Sequence, residues 1–101
     1  MRLVVAIVKP GAVEFVRQAL AAEHVTRLTI CDSHGYDLAT AEGLAQEAIL
    51  EIAVNEDFLD RTRETLVEAI AALGPDAGRI FVLPVAEAIQ IYREVRGPEA
   101  V

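Results

Sequence analysis

Ala48-Ile49-Leu50-Glu51-Ile52-Ala53-Val54-Asn55-Glu56-Asp57 is a strand running directly into a helix start. Residues 47 to 54 alternate, with Ala48, Leu50, Ile52 and Val54 facing a core and Ile49, Glu51 and Ala53 facing elsewhere. Asn55 is a favourable N-cap, and Glu56 and Asp57 suit the positive end of a helix dipole. The spacing predicts a helix from Glu56 to Leu73, its inner face made by Phe58, Thr62, Leu66, Ile70 and Leu73. Glu51 stands out as an acid among apolar neighbours.

Outward from this segment, Gly74-Pro75-Asp76-Ala77-Gly78 reads as a turn and residues 79 to 84 as a strand. Residues 85 to 91 fit a short helix or a last strand. Toward the N-terminus, 25 to 36 read as a strand whose polar half, Asp32-Ser33-His34, projects beyond the core. Residues 37 to 46 read as a connection, either a loop or one helical turn. Residues 2 to 8 form a strand, continuously apolar from Leu3, with Val4, Ala6 and Val8 on one face and Leu3, Val5 and Ile7 on the other. Pro10 ends it, and from Gly11 a helix runs to about Glu23, with Val13, Val16 and Leu20 inward and His24 at its C-terminal end.

The order strand, helix, strand, strand, helix, strand predicts an α+β, ferredoxin-like split βαβ (βαββαβ): an antiparallel four-stranded sheet with two helices on one face. The 101 residues suffice for one domain, expected over 1–96 with a free tail at 97–101, and 53% apolar residues can furnish its core. The other sheet face carries Ile49 and the Leu3 side of the first strand, which predicts self-association.

Sixteen acidic against nine basic residues give a formal charge of −7, which argues against nucleic acid or an anionic membrane surface. A small anion held by two or three cations remains compatible. Lys9 is the one lysine; the other basic residues are arginines. Cys31 stands alone, so no intrachain disulfide and no CxxC zinc site can form. The N-terminal apolar run is short for a signal peptide or membrane span, and a cytoplasmic location is expected. No P-loop or Ser-His-Asp pattern occurs, so no catalytic residue is assigned and no enzyme expected.

Three stretches carry a family resemblance. Leu3-Val4-Val5-Ala6-Ile7-Val8-Lys9-Pro10, Val25-Thr26 with Leu28-Thr29-Ile30 and then Gly35-Tyr36, and above all Gly78-Arg79-Ile80-Phe81-Val82-Leu83-Pro84-Val85 resemble the PII family of signal-transduction proteins. That resemblance covers nearly the whole chain and implies a homotrimer binding an adenine nucleotide in intersubunit clefts and regulating a protein partner. It implies Ile7 and Thr29 near the adenine, Glu51 near the base, Lys9 in the cleft, Gly35 and Tyr36 at the root of a long T-loop, and Gly78-Arg79 at the phosphates.

The departures shape the ligand expected. The T-loop is shorter than the family's and lacks the glutamine and lysine that help hold 2-oxoglutarate and the tyrosine some relatives carry for uridylylation. In the phosphate loop, Ala72 to Gly78, Pro75 removes a backbone donor. Gln90 and Tyr92 replace the C-terminal Arg-x-Arg, with Arg93 and Arg96 nearby. ADP or AMP is therefore expected rather than ATP, with no cofactor required. Alternatives are a metal-binding PII-like or CutA-like protein using His34 with Asp32 or Asp37, and a trimer that has lost nucleotide binding. Alternation opposes one metal cluster, because Asp32 and His34 face one side and Cys31 and Ser33 the other.

Overall fold

The computed structural model describes residues 1–39, 43–91 and 94–101. Its centre is β1 (Arg2–Val8), flanked by β3 (Gly43–Val54) and β4 (Gly78–Pro84), with β2 (Thr29–Asp37) outside β3. All three pairings are antiparallel, giving the order β2-β3-β1-β4. Helices α1 (Val13–Ala22) and α2 (Glu56–Ala71) cover one face. This is the expected ferredoxin-like α+β arrangement.

The buried side of the sheet is the one alternation assigns: Val4, Ala6, Val8, Ala48, Leu50, Ile52 and Val54 pack against Val16 and Leu20 of α1 and Leu66 of α2. Each fully buried aliphatic side chain contributes about 1.5–3 kcal/mol of transfer free energy. The inner stripe of α2 is corrected, however. Leu59, Thr62, Leu66, Ala69 and Ile70 face inward, while Phe58 and Leu73 stay 38% and 43% exposed. Phe58 precedes Leu59 by one residue, a 100° rotation off the stripe, and Arg61 stacks over its ring at 5.0 Å. Leu73 lies past the helix end.

Four other expectations change at element boundaries. Strand β2 begins at Thr29 rather than Val25; residues 25–28 cross from α1 to the sheet edge, with Val25 buried. His24 terminates α1 in the left-handed region (φ 66°) while Val25 N–H donates to Leu20 O. Residues 43–46 are strand, not loop or helix: β2 and β3 form a long hairpin paired out to Asp37 opposite Gly43. Residues 40–42 of the expected connection lie outside the described residues.

The segment 85–91 contributes a two-residue strand, β5 (Ile89–Gln90), paired with β6 (Val95–Arg96). Residues 97–101, expected to be free, fold back: Gly97 N–H donates to Ala88 O, and Gly97–Ala100 forms a 3-10 turn. Asn55 holds that turn. Its side chain makes no cap for α2; instead Nδ2 donates to Pro98 O at 2.8 Å. At the opposite edge of α2's first turn, Glu56 accepts from Arg2 Nε at 3.1 Å and lies 3.6 Å from the terminal ammonium of Met1.

Two consequences are measurable. Thr62 is fully buried with its hydroxyl unpartnered, so Thr62→Val should hold or raise the urea midpoint, by up to about 1 kcal/mol, whereas Leu66→Ala should cost roughly 2–5 kcal/mol. The hydrogen bond from Arg2 holds the Glu56 carboxyl below its ordinary value. Its contribution is complete above the ordinary carboxylate pKa and is lost as pH falls through the lowered one. Glu56→Gln should flatten the fall in urea midpoint as the pH is lowered through and below the ordinary carboxylate range, by a small amount for so exposed a pair.

Candidate functional site

The sheet face away from the helices is set out in rows by the strand register. One row reads Arg79, Ile7, Ile49, Cys31 across β4, β1, β3 and β2; the next reads Phe81, Val5, Glu51, Thr29. Four of the expected site residues, Ile7, Arg79, Glu51 and Thr29, thus lie on one face in two adjacent rows. Leu3, Val5 and Ile7 are half-buried there, while Phe81 and Leu83 are exposed. No described element covers this face.

Glu51 sits between Val5 and Thr29, and its Oε1 accepts a hydrogen bond from the Cys31 thiol at 3.8 Å. A thiol is a weak donor, so the carboxylate keeps most of its accepting capacity. No described arginine pairs with it within the chain.

Where β1 ends, Lys9 is extended (φ −72°, ψ 147°) before Pro10 opens a 3-10 turn. Lys9, Gly11 and Ala12 line a cleft of about 420 Å³ whose other wall is Leu73 to Ala77. That wall is the turn expected to act as a phosphate loop. Gly74 adopts φ +128°, a conformation that only glycine takes readily. The turn leads through Gly78 into Arg79, so Lys9 and Arg79 both stand at the end of the sheet where this turn enters it. Asp76 and Pro75 share the cleft, placing a carboxylate and a residue without an amide N–H in its wall.

Gly78 has a structural duty of its own. A Cβ there would lie 2.7 Å from Ile7 O and 3.0 Å from Val8 Cγ1. The glycine that precedes Arg79 is thus required for β4 to lie against β1, whatever the ligand.

The remaining expected residues part company. Gly35 is on the open face of the hairpin, opposite Ala45, whereas Tyr36 faces the helix side opposite Leu44 and is 66% exposed. Asp32 and His34 share that helix side and Cys31 and Ser33 the open one, as alternation requires. Asp37 Oδ1 accepts from Ala39 N–H at 2.8 Å. No group of three or more His, Cys, Asp or Glu side chains suited to a metal occurs among the described residues. Gln90, at the position of the expected C-terminal arginine pair, donates through Nε2 to Ala100 O at 3.2 Å; Tyr92 and Arg93 lie outside the described residues.

Sequence reasoning missed Glu47. It lies opposite Ser33 on the open face, and its carboxyl group fills the space where a side chain at position 35 would begin. The signal available was the glycine itself, two residues beyond Ser33 on the neighbouring strand.

Comparison with known proteins identifies the family and supports the fold. Residues 1–95 match the family model described as Nitrogen regulatory protein P-II. The chain is similar to the nitrogen regulatory protein GlnK1 of Methanosarcina mazei, at 32% identity over 100% of this chain and 97% of the relative. It is also 32% identical to the nitrogen regulatory protein P-II of Rhizobium etli, over 90% of this chain and 91% of the relative. Among solved structures, Arabidopsis thaliana PII bound to citrate matches with a TM-score of 0.85 at 28% identity, covering 99% of this chain and 91% of the other.

The steric duty of Gly78 yields a direct expectation. Gly78→Ala should destabilise the fold by about 1–3 kcal/mol, as overpacking against backbone does, seen as a lower urea midpoint. An unchanged midpoint would show that the β1–β4 junction yields without cost.

Proposed function

Because the chain belongs to the nitrogen regulatory protein P-II family, we propose that it is a regulatory protein whose effector is a small anion, ADP or AMP in preference to ATP. The effector binds at clefts between subunits of a homotrimer, and its occupancy is reported to a protein partner. The observation that carries this reading is the meeting of Lys9 with the Leu73–Ala77 turn in one cleft, next to Arg79 at the start of β4. A phosphate placed there finds an ammonium, a guanidinium fork and the amides of a glycine-bearing turn.

Ile7, Thr29 and Glu51 then take the base on the open face, in the rows that continue from Arg79. The apolar surface of that face, with Phe81 and Leu83 exposed, supplies the reason for the chains to associate. Association in turn completes the cleft. Preference for fewer phosphates follows from Pro75, from Asp76 in the cleft wall, and from Gln90, an uncharged side chain engaged with its own chain's Ala100 O. Citrate bound to the Arabidopsis relative is in keeping with anion binding on this fold.

The hairpin is the natural transmitter. Gly35 and Glu47 form its root beside the cleft, and Tyr36, Leu38 and Leu44 are 66%, 89% and 64% exposed further out. An effector that favours one setting of the root changes the population of hairpin positions that a partner meets.

Calorimetric titration of the wild-type protein and Arg79→Ala with AMP, ADP, ATP and cyclic dinucleotides tests the reading. Binding of AMP or ADP below millimolar concentration is expected, weakened at least tenfold in the variant, consistent with losing a charged hydrogen bond worth about 1.5–3 kcal/mol. Light scattering should return three times the chain mass. Absence of nucleotide binding below millimolar, or a monomer in solution, would sink the proposal.

A further inference from the structure

We infer that Glu47 is a charge filter at the mouth of this cleft, the residue that grades effectors by how many negative charges they carry. The inference rests on the reading that the cleft holds an anion, and adds to it the determinant of which anion. Glu47 follows one step beyond the Val8–Ala48 pair that ends the β1–β3 ladder. Lys9 continues β1 in extended form past Val8. Alternation therefore puts Lys9 and Glu47 on the same open face, about one strand spacing of 5 Å apart. Arg79 occupies that face on the other side of β1, opposite Ile7.

Two cations and one carboxylate thus share the end of the sheet from which the hairpin projects. None of the three makes an ion pair with a described residue, so each is available to a ligand. The carboxylate also lies where the strand leaves room for it. A Cβ at position 35 would fall inside the Glu47 carboxyl group, against Oε1 and Cδ. Gly35 therefore lets the acid lie across β2, half-buried, on a hairpin whose other side chains at this level are largely exposed.

A seated carboxylate repels every added ligand charge, and at about 8 Å in a high dielectric each such charge is disfavoured roughly two- to threefold. Two cations against two acids, Glu47 and the Asp76 of the cleft wall, leave little surplus positive charge for a long phosphate chain. A triphosphate brings about twice the charge of a monophosphate to Lys9 and Arg79, but meets about twice the repulsion from Glu47 as well. Removing the acid should consequently improve ATP binding much more than AMP binding.

The test is calorimetric titration of the full chain with AMP and ATP, at low and high salt, for wild type, Glu47→Gln and Gly35→Ala. Glu47→Gln should raise AMP affinity roughly fivefold and ATP affinity about twentyfold or more. Gly35→Ala keeps the acid but displaces it, and should move the ATP-to-AMP ratio in the same direction. Both effects should shrink at high salt. If wild type binds AMP and neither variant changes the ratio, the anion cleft stands and the filter is wrong. If neither wild type nor Glu47→Gln binds any nucleotide, the cleft reading itself fails and the filter with it. ATP binding gained by Glu47→Gln where wild type shows none would support both.

Discussion

The constraint on which the molecule depends is the complete pairing of β1 on both its edges. From Arg2 to Val8 every residue has a partner on β3 and another on β4. A central strand so placed can shift on neither side without turning Val4, Ala6 and Val8 out of the core and Leu3, Val5 and Ile7 into it. The register therefore fixes two things together: the core under the helices, and the order of side chains on the opposite face. Gly78 is the point where the margin is smallest, because β4 enters the sheet against the carbonyl of Ile7. The same tight entry delivers Arg79 to the row of Ile7, so the packing of the sheet and the placement of a cation are one event.

The sequence is most legible where burial is one-sided. Ala48, Leu50, Ile52 and Val54 alternate because one face of β3 meets the helices, and the period of two survives in the residue types. The same strand becomes unreadable from Gly43 to Gln46, where it has passed beyond the helix layer and both faces are wet; no burial demand writes alternation into Leu44-Ala45-Gln46. Phe58 misleads for another reason. It is the bulkier of two adjacent apolar residues at the start of α2, but the helical stripe set by Thr62, Leu66 and Ile70 passes through Leu59. Asn55 marks the helix start correctly while its side chain serves elsewhere, on a carbonyl of residue 98 that no pattern announces. Of the site, Ile7, Thr29, Glu51 and Arg79 were nameable through family likeness, and register alone shows that they share a face. Glu47 was hidden because its role depends on a missing side chain across the hairpin.

The formal charge of −7 is compatible with the proposed anion site once the charges are assigned to faces. Along the helices, Arg17 is engaged by Glu14 and Arg63 by Asp60 within one turn, and Arg2 by Glu56 at the other end of the sheet. Arg61 lies over Phe58. These cations are matched locally and add nothing to a distant ligand. Much of the acidic excess, Asp57, Glu64 and Glu68 among it, belongs to the exposed side of α2, across the thickness of the domain from the open face of the sheet.

A helix layer on a sheet is about 10 Å thick, and the screening length at physiological salt is about 8 Å. Net charge is therefore the wrong quantity for predicting what the cleft attracts. On the proposed reading the potential there is set by Lys9 and Asp76 in the cleft wall and by Arg79 and Glu47 on the adjoining strands. Changing a carboxylate on the outer side of α2 alters net charge as much as changing Glu47 does, yet on the proposed reading Glu47 and Asp76, and not the α2 acids, stand near a ligand's added charges. On the proposed reading, selectivity among anions belongs to these few groups, and the acidity of the remainder governs how the molecule as a whole behaves toward polyanions such as nucleic acid.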